Sequence, residues 1–326
     1  MTTAEILARF PRLSVLVAGD ICLDRWCSYD PAAAEPSRET GIPRIGVVST
    51  EVTPGAGGTV ANNLAALGIG RVAALGAAGD DGFGYELARA LGERGIDSSL
   101  LVRSEKIATF TYTKVINRDT GIEDCPRLDF IMTRPIDTAV EAELLSRLER
   151  AAPEFDVIIV SDQAETSQGG VVTPAMRELI TRLAAAHPQK IWWVDSRMRP
   201  ELFRRVIVKP NRDEAEAASM RALGAIDFGR LRAHIEAPLL AVTHGGDGVL
   251  LVESDRERWA PARKVENPVD ICGAGDSFSA GAACALAVAR DPVRAAEFGN
   301  LAASITIMKK GTGTASPAEL LAREQE

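Results

Sequence analysis

Several chemistries leave marks that this 326-residue sequence lacks. Its five cysteines (Cys22, Cys27, Cys125, Cys272 and Cys284) are odd in number and scattered, which argues against a disulfide framework. Cys22 and Cys27 have no downstream Cys/His pair at metal-binding spacing, so no zinc site is expected. The histidines His187, His234 and His244 lie far apart. No apolar run approaches a membrane span, and no basic segment with a signal-type apolar stretch opens the chain. A cytoplasmic protein without a membrane partner is the expectation. Lys and Arg do not cluster with interleaved aromatics and the formal net charge is −8, so no nucleic-acid partner is expected. An anionic small molecule stays open, because its site would use local donors rather than global charge. There is no repeat, low-complexity segment or long linker. No G-x-G-x-x-G follows the first apolar run, which disfavours a dinucleotide-dependent oxidoreductase.

What is present is an α/β rhythm. Apolar runs at 13–18, 72–75, 157–160, 191–194, 206–208, 239–242 and 249–252 read as strands. They are mostly continuous, as where both faces of a sheet are covered. Residues 60–67, 85–94, 138–151, 174–186 and 214–223 read as helices, with Gly68 and Gly95 at C-cap positions. This order predicts a largely parallel sheet with helices on both faces. Ligands of such sheets gather beyond the carboxyl ends of the strands, where Asp20, Asp162, Asp195 and the 209–211 turn follow directly. Trp192-Trp193, inside a strand run, reads as packing rather than base stacking. Two stretches break the rhythm. Residues 26–52 are rich in Pro, Ser and charge, with a short apolar piece near 45–48; residues 108–129 alternate in a β manner and end in a piece at 128–131. They read as a small separate sheet, a lid over the strand edges, within one domain spanning 1–326. Its alternating Phe110, Tyr112 and Val115 exceed what so few strands can cover, which predicts a homodimer formed through the lid.

The most informative run is Asp270-Ile271-Cys272-Gly273-Ala274-Gly275-Asp276, with small and apolar residues at helical spacing after it. Small residues at a helix start let backbone N–H groups converge where the helix carries partial positive charge. Such a cradle suits a polyphosphate, and Asp276 at its rim is placed to take a proton from an attacking hydroxyl. A Gly-rich turn with an acid in the first helical turn is the bland alternative. Four further clusters accompany the run: Gly19-Asp20-Ile21-Cys22-Leu23-Asp24; the loop from Pro54-Gly55-Ala56-Gly57-Gly58-Thr59 to Asn62-Asn63; Lys209-Pro210-Asn211-Arg212-Asp213-Glu214; and Thr243-His244-Gly245-Gly246-Asp247-Gly248. Each alone is a weak signal, and an N-x-x-E step often merely opens a helix. Their serial order is specific.

In that order the chain resembles, over essentially its whole length, the ribokinase-like (PfkB) carbohydrate kinases. It is most similar to the branch that phosphorylates heptose 7-phosphate in ADP-heptose synthesis, through Glu39-Thr40-Gly41-Ile42-Pro43, Thr113-Lys114-Val115-Ile116, Arg127-Leu128-Asp129-Phe130, and Asn300-Leu301-Ala302-Ala303 leading to Gly311-Thr312. The resemblance implies a three-layer α/β/α fold with a small β-sheet lid, ATP and Mg²⁺ as requirements with K⁺ in some members, and a sugar or sugar phosphate as acceptor. It implies Asp276 as catalytic base, with the N–H groups of Gly273, Ala274 and Gly275 as anion hole. Asn211 and Glu214 match the motif that organises the phosphates and, through water, Mg²⁺. Thr243, Gly245, Gly248 and Asn300 match the nucleotide site. Asp24, Gly55, Thr59, Asn63 and Arg127 fall in the acceptor site, and Asp270 matches an acid associated with a monovalent cation.

The departures bear on the acceptor. Thr59 stands where the family has a sugar-binding Asn and cannot offer an amide's paired donor and acceptor, leaving Asn62 or Asn63 to substitute. Residues 163–170 hold no Lys where the heptose branch has one. A dianionic phosphate wants a cation, so Arg118, Arg127 or Arg197 must supply it, or the acceptor is a free sugar or a nucleoside. A non-catalytic nucleotide- or sugar-binding relative is the alternative of a different class, opposed by the intact Asp276, Asn211 and Glu214.

Overall fold

In the computed structural model, which describes residues 1–325, alternate residues of the central strands point into two separate cores. Val15 and Val17 join one core while Leu16 and Ala18 join the other. Trp193 and Trp192 divide the same way, so this pair is packing on opposite faces of one strand. The strands, in chain order, are β1 (Ser14–Gly19), β2 (Ile21–Tyr29), β3 (Val47–Ala56), β4 (Arg71–Leu75), β5 (Ala77–Gly79), β6 (Val102–Ser104), β7 (Thr111–Asn117), β8 (Val157–Asp162), β9 (Ile191–Ser196), β10 (Ile207–Val208), β11 (Leu240–Thr243), β12 (Gly248–Val252) and β13 (Glu257–Pro261). The helices are α1 (Thr3–Leu7), α2 (Gly57–Ala66), α3 (Gly82–Gly92), α4 (Thr138–Ala151), α5 (Pro174–Ala186), α6 (Arg212–Leu223), α7 (Phe228–His234), α8 (Ala274–Ala289), α9 (Pro292–Thr306) and α10 (Pro317–Glu324).

An eight-stranded sheet runs in the order β13-β12-β11-β10-β9-β8-β1-β4. It is parallel from β4 to β11, and β12 and β13 complete it antiparallel. Side chains of α1, α2, α3, α8, α9 and α10 fill the core on one face, and those of α4, α5, α6 and α7 fill the other. The result is the expected three-layer α/β/α sandwich. The exits of β1, β8, β9, β10 and β11 share one edge. Asp20, Asp162, Arg197, Lys209 and Thr243 collect there.

The small sheet is also present, with the order β3-β2-β7. Its bounds differ from the expected 26–52 and 108–129. β2 starts at Ile21, directly after Asp20, and β3 runs on to Ala56 at the mouth of α2. Gly19 explains the abrupt exit: at φ +130 a Cβ would lie 2.1 Å from Ser161 O. The apolar piece at 128–131 makes only a single bridge, Phe130 to Thr111, and does not extend the sheet. The argument for an uncovered apolar face also needs correcting. Phe110 and Val115 are 5% and 8% exposed, covered by their own chain. The back of the sheet rests on α3, where the Arg25 guanidinium stacks over Phe83 at 4.5 Å. The apolar side chains left open belong to the lid's loops and outer end, among them Ile42, Ile45, Val48, Ile122 and Leu128.

Candidate active site

The run at 270–276 folds as a braced turn into α8. Asp270 fixes it, one carboxylate oxygen accepting the Cys272 N–H (2.9 Å) and the other the Gly311 N–H (3.1 Å). Gly273 caps the helix at φ +79, ψ 6, a left-handed conformation that favours glycine. The Ala274 N–H is turned back to Ile271 O at 3.2 Å, so of the expected anion-hole donors it is already engaged. Gly275 and Asp276 occupy the next helical positions, whose N–H groups have no carbonyl one turn earlier in the helix. Gly275 is also closely approached from below. A Cβ there would lie 3.3 Å from Lys209 Nζ, which reaches the underside of the turn.

That ammonium belongs to a buried pair. Lys209 Nζ stands 2.7 Å from Asp195 Oδ2, and the Ser279 hydroxyl donates to the same oxygen at 3.0 Å. Burial lowers the Lys209 pKa, but Asp195, Glu214 and Asp276 outweigh it and the net shift is upward. Asp276 is pushed up to about 7, first by desolvation and then by the Asp195 charge, against the pull of Lys209 and Arg197. On the lid, Asp24 is raised to about 6 by desolvation, partly offset by the Cys22 thiol and by Lys114 and Arg127. Gly55 lies under Asp24 rather than on the cavity wall. A Cβ there would sit 2.2 Å from Asp24 Oδ1, so only glycine lets strand β3 pass.

Two cavities meet at this turn. One, of about 220 Å³, is lined by Asp24, Thr59, Lys114, Arg127, Arg197, Gly273 and Asp276 among others. The second, of about 420 Å³, is lined by Thr243, Gly245, Ala274, Gly275 and Asn300, with apolar Val265, Ile271 and Phe278. The Asn300 amide donates to Ala260 O and Pro261 O, which leaves its oxygen as the remaining polar atom. The structure therefore brings most of the expected residues to one helix start. It does not bring all. The Asn63 amide donates to Thr59 O (3.0 Å) inside α2 and lines neither cavity, so it does not substitute for Thr59. Gly248 belongs to the hairpin, where a Cβ would lie 2.3 Å from Ala260 O. Asn211 and Glu214 form a reciprocal capping box on α6: Asn211 Oδ1 accepts the Glu214 N–H and Glu214 Oε2 accepts the Asn211 N–H. Glu214 is shifted upward by desolvation, with Lys209 opposing.

Sequence reasoning missed the roles of Lys209, Asp195 and Asp20. Asp20 and Lys209 directly follow strands and Asp195 lies at the end of one, which was the available signal, but partner identity depends on side-chain packing. Asp20, pushed up to about 6 by burial and by the Asp162 charge, accepts the N–H groups of Gln163, Ala164 and Val171. It thereby shapes the lysine-free loop. Arg199 braces the same loop through Asp162, Ala164 O and Thr166 O. For a divalent cation the donor set is informative. Among the described residues, no cluster of three or more His, Cys, Asp and Glu could hold a metal. Asn211 and Glu214, occupied with each other in their capping box, line neither cavity.

The carboxyl edge of the parallel sheet thus carries a buried acid on the wall of one cavity, at a helix start that a second cavity shares, the arrangement of a small-molecule site. Comparison with known proteins gives the family. Residues 22–319 match the pfkB family of carbohydrate kinases, and the chain belongs to it. The chain is similar to the "Bifunctional protein HldE" of Caulobacter sp. strain K31, 33% identical over 98% of this chain and 64% of that protein. It is also similar to the HldE of Chromohalobacter salexigens, 34% identical over 94% of this chain and 62% of that protein. It thus spans less than two thirds of these relatives. Among solved structures, Escherichia coli phosphofructokinase-2 in complex with potassium matches with a TM-score of 0.71 at 20% identity, covering 96% of this chain and 98% of that one. Thermotoga maritima ribokinase matches with a TM-score of 0.65 at 20% identity, covering 96% and 100%. The fold is ribokinase-like.

Proposed function

We propose that this chain is an ATP-dependent kinase that transfers the γ-phosphoryl group to a hydroxyl of a sugar phosphate of the heptose 7-phosphate type. One observation carries the reading: Asp276 stands on the wall of the polar cavity, at the helix start shared with the apolar one. ATP occupies the larger cavity, its base among Val265, Phe278 and Asn300 and its chain along Thr243 and Gly245. The phosphates turn toward Asn211 and Glu214, the residues that would hold Mg²⁺, which would supply charge compensation there. The acceptor occupies the smaller cavity with a hydroxyl at Asp276. Asp276 takes the proton, and its near-neutral pKa leaves it substantially ionised at neutral pH yet basic enough to act. The N-terminal turn of α8 faces the phosphoryl group as its charge develops. Asp24 accepts from the acceptor's hydroxyls.

For the acceptor's phosphate, Lys114 and Arg127 on the lid side of the cavity replace the lysine missing from 163–170. Arg127 stacks over Tyr112 at 4.7 Å and pairs with Asp129 at 3.0 Å. That existing pairing favours a second reading, a free sugar, because a phosphate would have to compete with Asp129. Asp270, beside a loop already organised by backbone contacts, supports a monovalent-cation site, and one relative of this fold is in complex with potassium. The decisive experiment measures phosphoryl transfer from ATP to heptose 7-phosphate and to free heptose with wild type and Asp276→Asn. Asp276→Asn should bind both substrates and lose about 10²–10⁴-fold in kcat. Near wild-type turnover would remove Asp276 from the mechanism. Turnover of free heptose alone would move the acceptor reading to an unphosphorylated sugar.

A further inference from the structure

We propose that Arg197 is a further catalytic residue, a cation on the acceptor-cavity wall that compensates the charge on the phosphoryl group as it passes to the acceptor. The inference rests on the kinase reading above. Arg197 leaves the carboxyl end of β9 directly after Asp195 and Ser196, and its backbone N–H is tied to Asp162 O at 3.0 Å. Its base is therefore fixed to the sheet rather than carried on the lid. The side chain lines the same cavity as Asp24, Gly273 and Asp276. It bears electrostatically on Asp276 and on Glu214, the acids assigned to the acceptor and phosphate sides. Arg197 and Asp276 thus share one cavity wall, beside the helix start where the transferring group would pass.

The other cations of the cavity are carried on the lid and also have acidic partners. Lys114 lies 3.8 Å from Glu123, Arg127 lies 3.0 Å from Asp129, and Arg25 is drawn to Glu86 at 3.9 Å behind the lid sheet. Arg197 rests on Glu165, and both side chains are about half exposed, 47% and 59%. Exposed pairs of this kind contribute little net stability. A phosphoryl group would compete with Glu165 for this guanidinium, whose fork geometry matches phosphoryl oxygens in a way an ammonium does not. Lys209, by contrast, is locked beneath Gly275 by Asp195 and cannot turn toward the acceptor.

Neutralising Arg197 tests the assignment in the full chain with ATP, Mg²⁺ and heptose 7-phosphate, and with free heptose in parallel. Arg197→Met should lower kcat roughly 10²–10³-fold, the range for losing one transition-state donor, with the acceptor KM nearly unchanged. The acid limb of the kcat/KM profile should move to higher pH, because Arg197 holds the Asp276 pKa down. Charges facing Asp276 come from Asp24 on β2, Asp195 and Arg197 at the end of β9, and Lys209 after β10, and only Arg197 is altered. The Cys22 and Cys272 thiols also feel Asp276. Arg197→Lys should return the limb toward wild type while recovering only part of kcat. A binding arm uses ADP with fluoroaluminate and Mg²⁺ as a mimic of the phosphoryl group in flight: Arg197→Met should weaken it at least tenfold and leave ADP alone unaffected. An Arg197→Met protein with full kcat, an unmoved acid limb and a raised KM for heptose 7-phosphate would overturn the proposal and make Arg197 a ligand of the acceptor's phosphate. Wild type that turns over neither sugar and does not bind the mimic would overturn the kinase reading itself.

Discussion

Replacing Lys209 by Met removes the cation from beneath the α8 turn and leaves the Asp195 carboxylate in the interior with Ser279 as its remaining side-chain donor. Both partners are nearly enclosed, with side chains 5% and 8% exposed and a 2.7 Å contact. Breaking a buried pair from one side costs about 3–5 kcal/mol, because the surviving charge stays desolvated. At roughly 2 °C per kcal/mol for a chain of this size, Tm should fall by about 6–10 °C. A second consequence is independent of stability. Lys209 is the largest influence holding the Asp276 pKa down, and Asp195 is the largest charge pushing it up. An acid with a raised pKa is ionised only above it, so losing Lys209 should move the acid limb of kcat/KM above its wild-type position near pH 7. Asp195→Asn should move the limb the other way. The double variant, with neutral groups in both places, should recover much of the lost Tm and return the limb toward wild type. Thermal melts and pH–rate profiles of the four proteins close the cycle. If Lys209→Met melts with wild type, the pair is not a buried one. If the double variant is as unstable as the single, the cost lies in packing and the electrostatic account fails.

Two further expectations concern the metal and the lid. Glu214→Gln should raise the Mg²⁺ concentration needed for half-maximal turnover and lower kcat, while acceptor KM stays within about twofold, since its contacts are on the phosphate side; titration of Mg²⁺ at saturating ATP checks this, and a change confined to acceptor KM would remove Glu214 from the phosphate site. Ile42, Ile45, Val48, Ile122 and Leu128 belong to the lid's open apolar set, and a second copy joined there predicts a dimer in sedimentation that Val48→Glu converts to monomer; wild type sedimenting as a monomer would end that proposal.

The parts of this molecule that sequence disclosed are those set by local chemistry. Continuous apolar runs placed the parallel strands because burial on two faces leaves no alternation to misread, and Gly273-Ala274-Gly275-Asp276 placed the helix start because few other residues permit that backbone. Strand β13, Glu-Arg-Trp-Ala-Pro, carries no apolar run; it exists because β12 offers it an edge. The pair Lys209–Asp195 was equally hidden. Both residues were seen to follow strands, but nothing local says that a lysine on one strand exit turns sideways under a glycine of a helix some sixty residues later. Asn63 shows the reverse error. Its amide looked free to replace the missing sugar-binding Asn, yet the helical turn that carries it supplies a nearer acceptor in Thr59 O. Local pattern thus locates where backbone geometry is constrained. The electrostatics that make Asp276 a base are a product of the fold, because its partners come from the exits of β9 and β10 and from lid strand β2. The same dependence explains why the acceptor is the least legible feature. The 163–170 loop lacks a lysine, but its backbone is held by Asp20 and Arg199, so the cations available to a substrate phosphate are decided by which side chains the lid and strand β9 turn inward, and Arg127 and Arg197 are the two that variant kinetics can separate.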